Sequence, residues 1–294
     1  MNIETLRLYC RIIQERSFSK GAAQSGVTQS AASQALRQLE GDLSVELLDR
    51  SKRPFGITEE GARFYEACRK MLGEFDQVCA EISHGIGEVH GHVHVAAIYS
   101  VGLHQMGAYM QRFRSLYPQA RVRLECLHPE KVVQSVLDDT ADIGILSYPP
   151  RDKALRVVPF KEEPMFFVSH PGHQLAFRHA VRVSDLAGEP FVAFDADLAI
   201  RNAIDRVLRK AGVGVDVVME FDNVESIKEA LFIDTWVSIL PGSAVHNERA
   251  MNTLAVLPFE GERIIRPLGL VHRRDKPLHG GVRRFIDLLG RELD

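Results

Sequence analysis

The chain has 294 residues, 45% hydrophobic and 26% charged, with a formal net charge of −3. This is the composition of an ordinary globular protein with room for two or three packed units, and it excludes a disordered chain. No apolar run approaches the roughly 20 residues that span a bilayer, so no membrane partner is expected. Residues 1–10 contain Glu4 and Arg7 and lack an apolar core, so no signal peptide is read there and a cytoplasmic location is expected. The four cysteines, Cys10, Cys68, Cys79 and Cys126, form no C-x-x-C pair, which fits a reducing compartment. Each is read as a buried thiol by default, since peroxide sensing needs an accessible thiol of low pKa.

In residues 1–14, Ile3, Leu6, Tyr9, Cys10 and Ile13 recur at helical spacing and predict a scaffold helix. Residues 17–53 then have the layout of a helix, a tight turn, a second helix and a basic hairpin. Ser19 is a candidate cap for the first helix, Ala22 and Ala23 are small enough for a close crossing, and Gly26 supplies the turn. Thr28 starts the second helix. There Ala32, Ala35, Leu36 and Leu39 share one face, while Gln29, Ser30, Ser33, Gln34 and Arg37 project from the other. Amide and hydroxyl groups on that face suit hydrogen bonding to base edges in a major groove. Arg50, Lys52 and Arg53 lie around a turn closed by Pro54 and Gly56, placing cations where a wing would meet phosphates. Residues 1–58 carry eight Lys/Arg against six Asp/Glu, so the negative total charge does not extend to this segment.

Phe18, Ala22, Ala23, Val27, Thr28, Gln29, Ser30, Ala31, Ser33, Leu36, Leu39, Glu40, Leu47, Arg50, Ile57, Thr58 and Gly61 follow an unbroken pattern. Through them the segment resembles the amino-terminal domain of LysR-type transcriptional regulators. The chain departs from that pattern at Ser30, where Pro is most often found, at Gln34, where Arg is common, at Ser44, where Gly is usual, and at Leu48, where Phe is usual. Because Gln suits adenine and Arg suits guanine, the Gln34 difference implies a base preference of the chain's own. The resemblance implies double-stranded DNA with a dyad-related operator as the partner, and a homodimer or homotetramer as the assembly.

After Thr58 the apolar positions Phe64, Cys68, Met71, Phe75, Val78 and Ile82 alternate steps of four and three. They predict a long helix whose stripe pairs with a second chain, as the linker helix of the resembled family does; packing on its own domain is the other solution. Gly85, Gly87 and Gly91 mark a hinge. Beyond it come strands at 93–99, 122–127 and 143–147 with helices at 106–117 and 129–139, an order that implies a parallel sheet covered by helices. A second lobe starts near Pro164, with strands at 165–168, 191–193, 217–221 and 237–240 and helices at 200–211 and 224–232. A strand at 268–272 returns to the first lobe and a helix at 282–289 closes it. The expected fold class is thus an α winged helix-turn-helix with a long linker helix, plus an α/β two-lobed domain. The latter resembles the periplasmic-binding-protein-like effector domain of the same regulators. The expected domains are 1–58 for DNA binding, 59–90 for the linker and hinge, and 91–294 for effector binding. Within the last, lobe I comprises 91–163 with 268–294, and lobe II comprises 164–267.

Ligands of such folds sit beyond the carboxyl ends of strands, where helix amino termini present free N–H groups. Ser100, Val101 and His104 follow the first strand, His128 the second, and Asn223 and Val224 a second-lobe strand, while Ser147, Phe194 and Arg201 lie near the crossovers. Together they form the expected site for a small anionic effector; Ser100 and Asn223 also read as plain helix caps, and Arg201 as a surface cation. Asp234 and Trp236 replace two glycines usual in the family, so the only Trp either shapes the cleft or packs beside it. His90, His92 and His94 would share one face of a strand, but no Cys or carboxylate completes a metal set nearby. No cofactor or metal is expected. G-x-S-x-G, P-loop and H-E-x-x-H motifs are absent, and neither His104 nor His128 has an evident orienting partner, so the chain reads as a regulator rather than an enzyme. An exported solute-binding protein would have no use for the helix-turn-helix. An effector-independent or redox-responsive regulator of the same fold is the remaining alternative.

Overall fold

A computed structural model describes residues 2–51, 54–83, 89 and 91–291, giving only the backbone for 74, 76–78 and 80–83. The chain divides into two compact units, residues 1–87 and 88–294. Lys52, Arg53, Gly85, Gly87 and His90 lie outside the described residues, as do the side chains of Val78 and Ile82.

The first unit opens with α1 (Ile3–Glu15), capped by Asn2, whose side chain accepts from the Thr5 amide at 2.8 Å. Helix α2 (Phe18–Gln24) is capped by Ser17 and not by Ser19. It starts early because Phe18 packs into the unit's core, which leaves Ser19 free to donate to Gln29 Oε1 at 3.0 Å. The close crossing of α1 and α2 falls at Gly21, where a Cβ would lie 2.8 Å from Ile12, and at buried Ala22; Ala23 is exposed and takes no part. Gly26 makes the turn at φ +69°, and the Thr28 side chain caps α3 (Gln29–Leu43). Strands β1 (Leu48–Asp49) and β2 (Gly56–Ile57) pair antiparallel as the stem of the hairpin. The Thr58 hydroxyl then accepts from the Gly61 amide at 2.9 Å to start α4 (Glu59–Ser83).

Leu6, Tyr9, Ile12, Leu36, Leu39 and Leu47 form the centre of this unit, joined by Cys10, Cys68 and Leu72. The α4 stripe is therefore divided. Cys68 is buried against α1 and is not available to a second chain, which corrects its place among the expected dimer contacts. Phe64 is half-buried against Tyr9, whereas Met71 and Phe75 stay exposed.

The second unit contains β3 (Gly91–Ile98), α5 (Tyr99–His104), α6 (Met106–Leu116), β4 (Ala120–Leu127), α7 (Pro129–Leu137), β5 (Ile143–Ser147) and β6 (Leu155–Ser169). It continues with β7 (Pro190–Phe194), α8 (Ala199–Lys210), β8 (Asp216–Phe221), α9 (Val224–Ala230), β9 (Val237–Pro241), α10 (His246–Met251), β10 (Ala255–Leu257), β11 (Ile265–Arg273) and α11 (Gly280–Leu289). The strand order is β4-β3-β5-β11-β6-β9-β7-β8, with β10 also on β6.

This sheet is mixed and not parallel throughout: β3 runs parallel to β4 and β5, and β7 to β8, but β11 and β6 are antiparallel to their neighbours. The strand expected at 165–168 is the far end of a 15-residue strand, β6, whose first part pairs with β11 and whose last part pairs with β9. Its first half, with Pro159 and the charges Arg156, Lys161 and Glu162 among apolar residues, has no regular alternation, which hid it. Strands β6 and β11 are thus the two connections between the lobes. Phe113 and Phe285, rings 5.1 Å apart and edge to face, anchor the core of the first lobe, and Phe167, Phe191, Ile239 and Leu240 that of the second. A buried ring of this kind contributes roughly 1.5–3 kcal/mol.

Candidate DNA interface and effector cleft

On α3, Thr28, Gln29, Ser30, Gln34 and Arg37 are exposed and Ser33 is half-buried, opposite the buried Ala32, Leu36 and Leu39. The first turn is ordered by short polar contacts: Thr28 Oγ1 accepts from the Ala31 amide at 3.2 Å and lies 3.0 Å from Ser30 Oγ. The first carboxylate along the helix, Glu40 in its last third, is turned inward. Its Oε1 accepts from the amides of Leu47 and Leu48 at 2.9 and 3.2 Å, and its Oε2 meets Arg50 at 2.6 Å. Arg50 is thereby tied to the end of α3, so it positions the hairpin and offers only its remaining donors to a phosphate.

In the second unit a cleft of about 50 Å³ opens between the lobes. Ile98, Tyr99, Ser100, Leu127, Pro129 and Ser147 line it from the first lobe; Phe194, Leu198, Ala199, Ile200, Asp222, Asn223 and Val224 line it from the second; Arg266 lies on the connecting strand β11. Four helices, α5, α7, α8 and α9, begin at this cleft. Only α9 is closed by a side chain, through Asn223 accepting from the Ser226 amide at 2.9 Å; α5, α7 and α8 have no side-chain cap. Their first N–H groups and the positive ends of their dipoles favour an anion.

Arg266 is the most buried of these residues, at 1% exposure, and nothing in the sequence reading named it. Its ladder partner across the two connecting strands is Glu163, also buried, which accepts from its Nε at 3.1 Å and from its NH2. The NH1 group donates to Ser100 Oγ at 3.0 Å. Burial pushes the Glu163 carboxyl up, but Arg266 and the bonds from Ser243 hold it below the usual carboxylate range. Glu163 follows Lys161 and Glu162 in the sequence and Arg266 stands between Ile265 and Pro267, so nothing local singles out either, and only the register brings them together. Ser147 is nine-tenths buried, and its hydroxyl has no hydrogen-bond partner among the described residues.

Of the expected effector residues, Ser100, Ser147, Phe194, Asn223 and Val224 meet at the cleft; Val101, His104, His128 and Arg201 do not line it. Val101 is fully buried in the core of the first lobe. His104 Nε2 lies 2.7 Å from Glu225 Oε1, joining the lobes beside the cleft. His128 sits before α7 without making a cap bond. Arg201 is consumed within the second lobe, donating from Nε to both oxygens of Asp205 at 3.1 Å and from NH1 to the Phe194 carbonyl at 2.6 Å and to Glu220. Trp236 packs half-buried against the second-lobe core, away from the cleft. No three His, Cys, Asp or Glu side chains among the described residues gather as a metal site.

A helix-turn-helix unit joined in one chain to a two-lobed unit with a cleft between its lobes is the layout of a DNA-binding regulator with an effector domain. Residues 3–62 match the family of bacterial regulatory helix-turn-helix proteins of the LysR type, and residues 87–294 match the LysR substrate binding domain. The chain belongs to the LysR family of transcriptional regulators. It is 27% identical over 287 residues to the uncharacterized regulator YeiE of Escherichia coli, covering 98% of this chain and 96% of that one. Full-length OxyR from Pseudomonas aeruginosa shares its fold with a TM-score of 0.77 at 21% identity, over 99% of this chain and 93% of the other. CbnR in complex with its target DNA does so with a TM-score of 0.65 at 20% identity, over 98% and 99%.

Proposed function

We propose that this regulator reads a dyad-related operator as a homotetramer in the cytoplasm, catalyses no reaction, and responds to a small anion bound between its lobes. The assembly and the dyad follow from the family's organisation and from the exposed Met71 and Phe75 on α4. Residues 1–58, 59–90 and 91–294 serve as reader, linker and sensor. The base-reading set is Gln29, Ser30, Ser33 and Gln34, with Thr28, Arg37, Arg50, Lys52 and Arg53 on the backbone. The effector set is Ser100, Ser147, Phe194, Asn223 and Val224, joined by Arg266.

The observation that carries the sensor reading is the convergence of three uncapped helix amino termini on a cleft that holds an unpartnered, nine-tenths buried serine and a buried arginine. A redox-responsive reading has less support. Cys126 is the only cysteine in residues 88–294, and burial together with neighbouring Glu125 pushes its thiol up.

Titration of DNA from upstream of the gene, with and without metabolite anions, tests the whole proposal. Replacing Gln29 by Ala is expected to cost about 1–3 kcal/mol on the specific site. Equal weakening on random DNA would remove α3 as the reading helix.

A further inference from the structure

Within the reading of an anion-binding cleft, on which this inference rests, we infer that the effector is a short monocarboxylate with an apolar body, and that dicarboxylates and other dianions are rejected. The charge arrangement of the cleft carries this. Arg266 is the only cation among the lining residues, and its charge is already answered by Glu163, which is buried beside it and is also held by the Ser243 amide at 2.8 Å. Arg201, the other cation nearby, is held by Asp205 and Glu220. A single added carboxylate would be met by the free amides of α7 and α8, by the Ser147 hydroxyl, and by the N–H groups of Arg266 not given to Glu163 and Ser100.

A second negative charge finds no second cation on the lining. The opposite rim is acidic: Asp222 lines the cleft, and Asp195, whose amide donates to the Phe221 carbonyl at 2.9 Å, stands at the end of the adjacent parallel strand. Like charges at this separation repel even near solvent. The remaining walls are mostly apolar, with Ile98, Leu127, Phe194, Leu198, Ile200 and Val224 offering contact to a hydrocarbon chain, and Tyr99 is the one neutral hydroxyl among them. A space of about 50 Å³ corresponds to a handful of water-sized spheres, which favours a small ligand over a bulky one.

Calorimetric titration of the full-length protein with acetate, propionate, butyrate, succinate, sulfate and phosphate tests this. Butyrate is expected to bind at least about tenfold more tightly than succinate, its equal in chain length. Ser147→Ala should weaken butyrate by about tenfold, the loss of one hydrogen bond to a charged group. Asp222→Asn, a change at an exposed residue of the rim, should strengthen succinate severalfold and butyrate by distinctly less. Succinate, sulfate or phosphate binding more tightly than every monocarboxylate would overturn this inference while leaving the anion-binding cleft in place. Failure of all six to bind at millimolar concentrations would overturn both.

Discussion

Ser44 ends α3 in the left-handed region at φ +55°, as Arg16 ends α1 at φ +45°. A side chain there carries a steric cost that glycine avoids, and glycine is the residue that the family resemblance led one to expect. Ser44→Gly is therefore expected to stabilise the full-length protein by roughly 0.5–1 kcal/mol, the relief of strain less the added freedom of the unfolded chain. A urea midpoint unchanged or lowered would show that the serine side chain compensates in place. Gly61 illustrates the opposite constraint, since a Cβ would stand 2.0 Å from the Leu47 carbonyl oxygen while the Gly61 carbonyl accepts from the Tyr9 hydroxyl at 2.8 Å. At this scale the helix start at Thr28 and the cap Asn223 were legible, because a cap acts on neighbours three residues away, whereas for α2 the cap is Ser17 and not Ser19. Arg266 was not legible, because its partner Glu163 is 103 residues distant and only strand register joins them.

Among the elements, most of the amphipathic helices and the fully buried, mainly apolar β5 were readable from the residue pattern, whereas β6 and β10 were not. The first part of β6 carries Pro159 and the charged run 161–163 and shows no regular alternation, yet the strand lies inside the sheet between β11 and β9. The end of the first lobe opposite the cleft has its own polar lock. Asp142 accepts from the His94 amide at 2.9 Å and from Lys276 Nζ at 3.1 Å, and lies 3.7 Å from His279 Nε2. Burial pushes its carboxyl up, but His279, Lys276 and the His94 amide overcome this and hold it well below the usual carboxylate range. A carboxyl depressed in the folded state contributes stability that is complete above its unfolded pKa of about 3.9 and is lost as pH falls toward the folded value. The thermal midpoint is thus expected to drop between roughly pH 5 and pH 3, and Asp142→Asn to lower it at neutral pH while flattening that drop. An equally steep acid decline in the variant would place the sensitive carboxyl elsewhere.

For the whole molecule, the decisive surface is the one the single chain leaves uncovered. On α4, Cys68 and Leu72 turn into the first unit, whereas Met71 and Phe75 are 45% and 46% exposed and lie one helical turn apart. Two large apolar side chains at that spacing form a ridge that a second copy of α4 would cover, as a linker helix in a symmetric dimer does. A charge placed in such a contact is buried without a partner, at a cost of about 3–5 kcal/mol per copy. Phe75→Asp is accordingly expected to halve the mass seen by light scattering and to abolish preference for a two-half-site operator over a single half-site, because dyad recognition requires two readers held in fixed spacing. The exposed position of Phe75 in the single chain means that folding of the first unit should survive the change, which an unaltered helical signal by circular dichroism would establish. A variant that keeps the parent mass would assign the pairing of chains to surfaces of the second unit and leave α4 as scaffold alone.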